Sequence, residues 1–283
     1  MSTVFKDKNV NQKFLEQGFY VVNQLLSKAA INQLTQFYKS NSFSSEKPFV
    51  STNYSTDKKY RRKIFNQLNE TIAPAIDEFL NDYQGISAAM FVKKARQQSK
   101  VGLHIDWQMV EEPKHIGLNV WVPLVNTNRF NGCIKVVPGS HKNNLMLRGP
   151  NWPAPQSVLQ KPISKKHYKS LYLKAGDALI FDNRLMHLSE KNRLFKDRLA
   201  ISFLMIPRAA QPIHYFFEKE GSQVKHVRKY KVTHSFYIED IAFQNTNGVY
   251  NLSDGLGGEF EDVFSQYQNQ LQPSIDFLES NFT

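Results

Sequence analysis

The sequence predicts a mostly β core braced by helices, and three stretches carry that prediction. In WVPLVNTNRFNGCIKVVPGSH (Trp121 to His141) two apolar runs flank Asn131-Gly132, a dipeptide that favours the tight turn of a hairpin. In LKAGDALIFDNRLMH (Leu173 to His187) the turn Ala175-Gly176-Asp177 precedes a short buried strand, ALIF. RLAISFLMIP (Arg198 to Pro207) alternates with a period of two, which puts Arg198, Ala200 and Ser202 on one face.

The remaining elements follow in chain order. Residues 11–42 have helix-like apolar spacing around a short strand, GFYVVNQ (Gly18 to Gln24), and Ile31, Leu34 and Phe37 mark the helical period after it. Residues 64–83 read as another amphipathic helix, interrupted or kinked at Pro74, whose ring removes a backbone donor. GLHIDW (Gly102 to Trp107) reads as a strand. Residues 142–170 contain four prolines and no clear period, which predicts a long loop overhanging the mouth of a site. After Pro207 come an aromatic patch, HYFFEK (His214 to Lys219), a basic stretch, and a Gly-rich turn at Gly255 to Gly258. The last run, EDVFSQYQNQLQPSIDFLESNF, is helical in period, and no repeat or low-complexity tract appears. The chain is expected to form one domain over residues 1–283, with a core at about 14–207 and an accessory region at about 208–283.

Composition narrows the function classes. A hydrophobic content of 41% with 21 Phe, 12 Tyr and 3 Trp is ample for a sizeable core. No apolar run approaches the ~18–20 residues of a membrane span. The opening MSTVFKDKNVNQKF lacks the apolar segment of a secretory signal. The single cysteine, Cys133, excludes an internal disulfide framework and reads as a small buried hydrophobe. A cytoplasmic protein is expected. The net charge of +11 is carried by local runs: Lys58 to Lys63, Lys161 to Lys169 and Lys225 to Lys231. None of them sits in a recognisable nucleic-acid motif. A solvated surface is the default reading and nucleic acid is not expected, while the functional reading is a positive rim drawing in small anions.

The chemistry concentrates in four residues. His104 and Asp106 lie two apart, so on a strand both point to one side. His187 supplies a second imidazole. Two His and one carboxylate on one face of a metal form the ligand set of non-haem Fe(II) oxygenases. Arg198 offers a planar guanidinium suited to a dicarboxylate. A lone His-x-Asp is weak; the ordered strands and turns around it raise its weight. Trp107 and Gln108 directly follow the pair, and His214 sits among aromatics, so these three are candidate substrate contacts. His141 reads as a structural hydrogen bonder, and His115, His167, His226 and His234 as surface groups. Asn119 shares the inward face with Trp121 and has an amide to offer a co-substrate.

The ordered motifs H-x-D, W-x-P-L, N-G-x-x-x-V-x-P-G-S-H, the Gly-Asp turn and H-x-S followed by Arg resemble the phytanoyl-CoA dioxygenase family of Fe(II)/2-oxoglutarate oxygenases. The likeness covers roughly Phe14 to Pro207. It implies a double-stranded β-helix, a jelly-roll or cupin-like barrel with iron near its open end. It also implies that His104, Asp106 and His187 hold Fe(II) and that Arg198 pairs with the far carboxylate of 2-oxoglutarate, with Ser189 beside it. Trp121 and Met90 fall where the family lines the co-substrate pocket. The implied reaction uses O2 and releases succinate and CO2 while hydroxylating an unactivated C–H bond. The expected substrate is a small molecule that is anionic, amino-acid-like or a natural product. The carboxylate of Asp106 argues against the halogenating variant. Desaturation, ring closure, or action on a macromolecule through the basic surface stay open as alternatives.

Overall fold

The helices are set by their caps and their apolar spacing. In the computed structural model, residues 3–42, 45–112, 114–150, 152, 158–239 and 259–283 are described. Helix α1 (Lys8–Gln17) starts where the Asp7 carboxylate accepts the Val10 N–H at 2.9 Å. It ends at Gly18, whose φ of 83° is left-handed; a Cβ there would lie 2.5 Å from His141 Nδ1. Strand β1 (Phe19–Val22) leads to α2 (Lys28–Asn41), capped by Ser27. After β2 (Phe49–Ser51), Asp57 caps α3 (Lys58–Asp77), accepting the N–H groups of Lys59 and Tyr60 at 2.8 and 3.2 Å. This helix begins six residues before the apolar run expected at 64–83 and carries Pro74 inside it. Ile64, Leu68, Ile72 and Ile76, each four apart, are all fully buried on one face.

That face covers a six-stranded antiparallel sheet in the order β1-β8-β5-β10-β3-β2, built with β3 (Tyr83–Lys93), β5 (Leu118–Pro123), β8 (Ala178–Asp182) and β10 (Arg198–Pro207). Strand parity decides which side chains meet the helices. Met90, Val92, Val120, Val122, Ile180, Ile201, Phe203 and Met205 join Phe14, Leu34 and Ile64 in one apolar cluster. A fully buried side chain of this kind contributes ~1.5–3 kcal/mol. The alternate residues face inward, toward a four-stranded sheet ordered β4-β9-β6-β7: β4 (Val101–His104), β6 (Ile134–Val136), β7 (Lys169–Leu171) and β9 (His187–Ser189). Trp121, Phe181 and Ala200 from the first sheet pack on Ile134, Val136 and Leu171 of the second.

Two sequence expectations are corrected here. The hairpin read at Asn131-Gly132 does not form, because β5 pairs with β8 and β10 while β6 pairs with β7 and β9. The dipeptide instead turns a corner between the two sheets. Asn131 Oδ1 accepts the Asn128 N–H, and Gly132 has φ 78°. Each run therefore finds its partners in a different sheet. Met90 faces the helices, so it lines no co-substrate pocket; its strand neighbours Ala89 and Phe91 face inward.

The later part of the chain adds β11 (Ile213–Glu220), β12 (Gln223–Lys231) and β13 (Phe260–Asp262) as a three-stranded sheet, with α4 (Phe236–Glu239) and α5 (Phe264–Phe282). Leu278 and Phe282 of α5 pack with Leu103, Ile105, Val137, Met186 and Leu188 around the smaller sheet. The Gly-rich turn at 255–258 lies outside the described residues. Among the described residues, no helix is long and apolar enough to cross a membrane.

The basic runs are less free than their sequence implies. Arg61 is buried; its Nε donates to the Ile238 carbonyl at 2.8 Å and anchors α3 to α4. Lys225 pairs with Glu220, Arg228 with Glu218, and Lys229 with Glu111 and Glu261. Exposed pairs of this kind are worth ~0–1 kcal/mol each, so they matter here for charge cancellation more than for stability.

Candidate active site

Strand pairing brings the two imidazoles together. His104 ends β4 and His187 opens β9, and the two are direct cross-strand partners with ring centroids 4.1 Å apart. Each ring is oriented by its own backbone: His104 Nδ1 lies 2.8 Å from the Gly102 carbonyl and His187 Nδ1 2.9 Å from the Leu185 carbonyl. With Nδ1–H donating to those carbonyls, each Nε2 is left as the free lone pair. Burial, and then His104 alongside, pulls the His187 imidazole down to about 4, so the ring is neutral at ordinary pH and able to ligate.

Asp106 lies just past the end of β4, so local strand geometry is not what holds it. Its N–H donates to the Asn183 carbonyl at 3.0 Å, and its own carbonyl accepts Arg148 Nε at 2.8 Å. Arg148 is fixed in turn by two 2.9 Å bonds to the Glu112 carboxylate, a pair almost wholly out of solvent. Asp106 Oδ1 then sits 3.9 Å from His104 Nε2 and 3.8 Å from His187 Nε2. An ion ~2.1 Å from each donor allows separations up to about 4.2 Å. With all three donor atoms within 4.8 Å of one another, His104, Asp106 and His187 form a group that could hold a metal ion, of the two-His, one-carboxylate type.

These donors line a cavity of about 330 Å³ between the two sheets. Arg198 lines it too, at 2% exposure, as do Trp121, Ser189, Asn119, Ser202 and Trp107. The Arg198 guanidinium lies 5.2 Å from the Trp121 ring, and its Nε and Nη1 have no hydrogen-bond partner among the described residues. Burial pulls this guanidinium down to about 9, which leaves it cationic at neutral pH. An orphaned buried cation at the wall of a cavity is a receptor for an anion.

The other candidates divide. Asn119 reaches the site, but its Nδ2 donates to Asp106 Oδ2 at 2.9 Å and its Oδ1 accepts the Ser202 hydroxyl at 3.0 Å. Its amide is therefore spent on orienting a carboxylate, in place of the co-substrate contact expected from sequence. Asn119→Ala should weaken divalent metal binding ~10–100-fold, as loss of a ligand-orienting partner does. Affinity for 2-oxoglutarate at saturating metal should hold; a fall confined to the co-substrate would restore the original assignment. Gln108 is buried and turned away, its Nε2 on the Val110 carbonyl at 3.2 Å, and it does not line the cavity. His214 is also absent from the lining. It is packed against Trp107, Phe236 and Tyr237, where burial holds its ring down at about 3, so it backs the Trp107 wall. His141 is structural, 3.0 Å from the Leu15 carbonyl. None of the described residues of 142–170 lines the cavity; residues 151 and 153–157 of the predicted overhanging loop lie outside the described residues.

Sequence reading missed Phe49, Asn53 and Tyr54 from the segment around β2, and Phe91, Met109 and Leu204. Only Leu204 was within reach of parity, two residues beyond Ser202 on the same face. Arg148 lay in a Pro-rich stretch with no period to flag it.

Residues 14–200, about two thirds of the chain, match the family described as phytanoyl-CoA dioxygenase (PhyH). A phytanoyl-CoA dioxygenase of Arabidopsis thaliana is 32% identical over 95 residues, 31% of this chain and 31% of its own. The curated relatives are thus matched over only 31% to 42% of their own lengths. Among solved structures, EvdO2 from Micromonospora carbonacea var. aurantiaca, complexed with 2-oxoglutarate, is 17% identical with a TM-score of 0.52. It covers 80% of this chain and 97% of its own. The epimerase SnoN, in complex with Fe3+, alpha ketoglutarate and nogalamycin RO, is 17% identical with a TM-score of 0.53, covering 72% and 85%. At such identities the likeness is one of fold, the double-stranded β-helix that the two facing sheets describe. The sequence match carries the rest: this chain belongs to the phytanoyl-CoA dioxygenase family.

Proposed function

We propose that the chain is a non-haem Fe(II)- and 2-oxoglutarate-dependent oxygenase acting on a small, largely apolar or aromatic substrate. One observation carries this reading. The His104, Asp106 and His187 donors and the Arg198 guanidinium, whose Nε and Nη1 have no hydrogen-bond partner among the described residues, face the same cavity. His104, Asp106 and His187 would hold the metal, with its remaining positions turned to the cavity. Arg198 would receive the far carboxylate of 2-oxoglutarate, with the Ser189 hydroxyl beside it and the Trp121 ring below. Bound iron, 2-oxoglutarate and O2 together supply the oxidising chemistry; the protein contributes orientation and a shielded site. SnoN and EvdO2 bind alpha ketoglutarate or 2-oxoglutarate, as their names state, which supports the same co-substrate here.

The lining also bears on the primary substrate. Among the described residues, Arg198 is the only Lys or Arg that lines the cavity, so once it is engaged no other described lining cation is left for an anionic substrate. Phe49, Tyr54, Phe91, Trp107, Met109 and Leu204 form the apolar wall, and Asn53, Ser51 and Ser87 supply uncharged polar atoms. This favours a neutral or natural-product-like molecule over the anionic class. The ion-paired Lys and Arg of β12 also lend little to a macromolecular substrate.

The test is anaerobic loading with Fe(II) and 2-oxoglutarate, then aerobic screening of small molecules for stimulated succinate release, with product masses. Gain of one oxygen identifies hydroxylation, and loss of two hydrogens identifies desaturation or ring closure. Failure of the Fe(II)-loaded protein to bind 2-oxoglutarate, or to turn it over with or without substrate, would remove the proposal.

A further inference from the structure

A second cation lies hidden beside Arg198. In the antiparallel pairing of β3 and β10, Lys93 is the direct partner of Arg198. Directly opposed residues on one face have their Cβ atoms ~4.5–5.5 Å apart. Ser87, Ala89 and Phe91 of β3 line the cavity, and Lys93 continues their parity. Lys93 is 0% exposed, and its Nζ donates to the carbonyls of Ser99 and Ser189, the latter at 3.4 Å. The Phe49 ring, part of the cavity wall, is 5.6 Å from Nζ. Gly132 leaves room for the stem: a Cβ there would lie 3.0 Å from Lys93 Cδ.

Two like charges on opposed buried positions destabilise a fold unless something compensates. Among the described residues no carboxylate comes within ion-pair distance of Lys93 or Arg198. Glu190, just past β9, is the acid whose charge acts on Lys93, and it is itself paired with Lys135 of β6 at 3.3 Å. Cys133, at the turn before β6, is a buried thiol pushed up by burial and therefore neutral. Phe49 and Ser99 bring no charge from β2 or from the segment after β3.

We propose that Lys93 and Arg198 together form a two-cation receptor for the far carboxylate of 2-oxoglutarate, Lys93 taking up a proton as that carboxylate arrives. This rests on the reading of Arg198 as the co-substrate anchor. Lys93 is a positioning residue: it acts on the co-substrate through charge and through the Ser189 carbonyl, whose side chain lines the cavity. The state of the lysine before binding is consistent with this. Burial first, then Arg198, pulls its ammonium down to about 7, against a smaller upward pull from Glu190. A group that gains a proton on binding makes affinity fall with pH above its free value, by up to about tenfold per unit.

The test is calorimetric titration of 2-oxoglutarate into the full-length, Mn(II)-loaded protein under anaerobic conditions, in pairs of buffers with different ionisation enthalpies. Proton uptake should be small at about pH 6 and approach about one per site at about pH 8, with affinity falling between them. 2-Oxobutyrate, which keeps the keto acid but lacks the far carboxylate, should bind without that uptake. Lys93→Met keeps the stem and should abolish both the uptake and the pH dependence. Wild-type binding of 2-oxoglutarate with no proton uptake at about pH 8, or equal uptake with 2-oxobutyrate, overturns the proposal, and needs no variant to fold. No binding at any pH overturns the Arg198 reading beneath it.

Discussion

His187→Ala should abolish tight divalent metal binding, and turnover with it, while the chain still folds. The imidazole is buried, held by the Leu185 carbonyl and set edge-on to Phe181 at 4.7 Å between centroids. No neighbouring His, Cys, Asp or Glu among the described residues joins the cluster to replace it. Loss of an outer partner costs ~10–100-fold in metal affinity, so loss of a ligand should exceed ~100-fold. The large cluster between the six-stranded sheet and the helices does not include His187, so the cooperative unfolding transition should persist with a cost of ~1–3 kcal/mol. Anaerobic Fe(II) or Mn(II) titration, beside a thermal melt followed by circular dichroism, measures both. Near wild-type metal affinity in a folded variant would mean that the ion sits elsewhere.

Arg198→Ala should weaken 2-oxoglutarate binding by at least ~30-fold with metal affinity unchanged. Truncating one partner of a buried charged pair typically costs ~2–5 kcal/mol, and ~1.4 kcal/mol is a decade in affinity. Arg198→Lys keeps a charge but loses the planar fork and should fall between. The same position yields an opposite effect on stability. Without co-substrate, the guanidinium is buried with Nε and Nη1 unpartnered, a state that costs free energy. Arg198→Met, which fills much of the space without the charge, should therefore raise the melting temperature of the co-substrate-free protein. A drop in both melting temperature and metal affinity, with 2-oxoglutarate affinity unmoved, would make Arg198 a structural residue.

Much of this site was legible in sequence because its logic is local. A period of two along Arg198 to Pro207 already placed Arg198, Ala200 and Ser202 on one side, and the structure has that side facing inward. His104 and His187 could be named from residue chemistry and motif order, and the pairing of β4 with β9 sets them face to face. Asp106 was named for a reason that holds only in part. The strand stops at His104, and Arg148, Asn183 and Asn119 place the carboxylate from three distant parts of the chain.

The sequence by itself determined the residue types and the alternation along each strand, because these depend on nothing beyond the nearest few positions. Tertiary structure decided which side of each strand is the inside and which strand is whose neighbour. Met90 went to the helices and Ala89 and Phe91 to the cavity because β3 is locked in register with β10, a choice no local pattern encodes. Asn131-Gly132 made a corner between sheets because buried runs on either side found partners far along the chain. Lys93 met Arg198 for the same reason: 105 positions apart (198 minus 93), they are opposed only once the ladder closes. Cross-strand pairing is a long-range event, and the charge it concentrates there is invisible until the sheet exists.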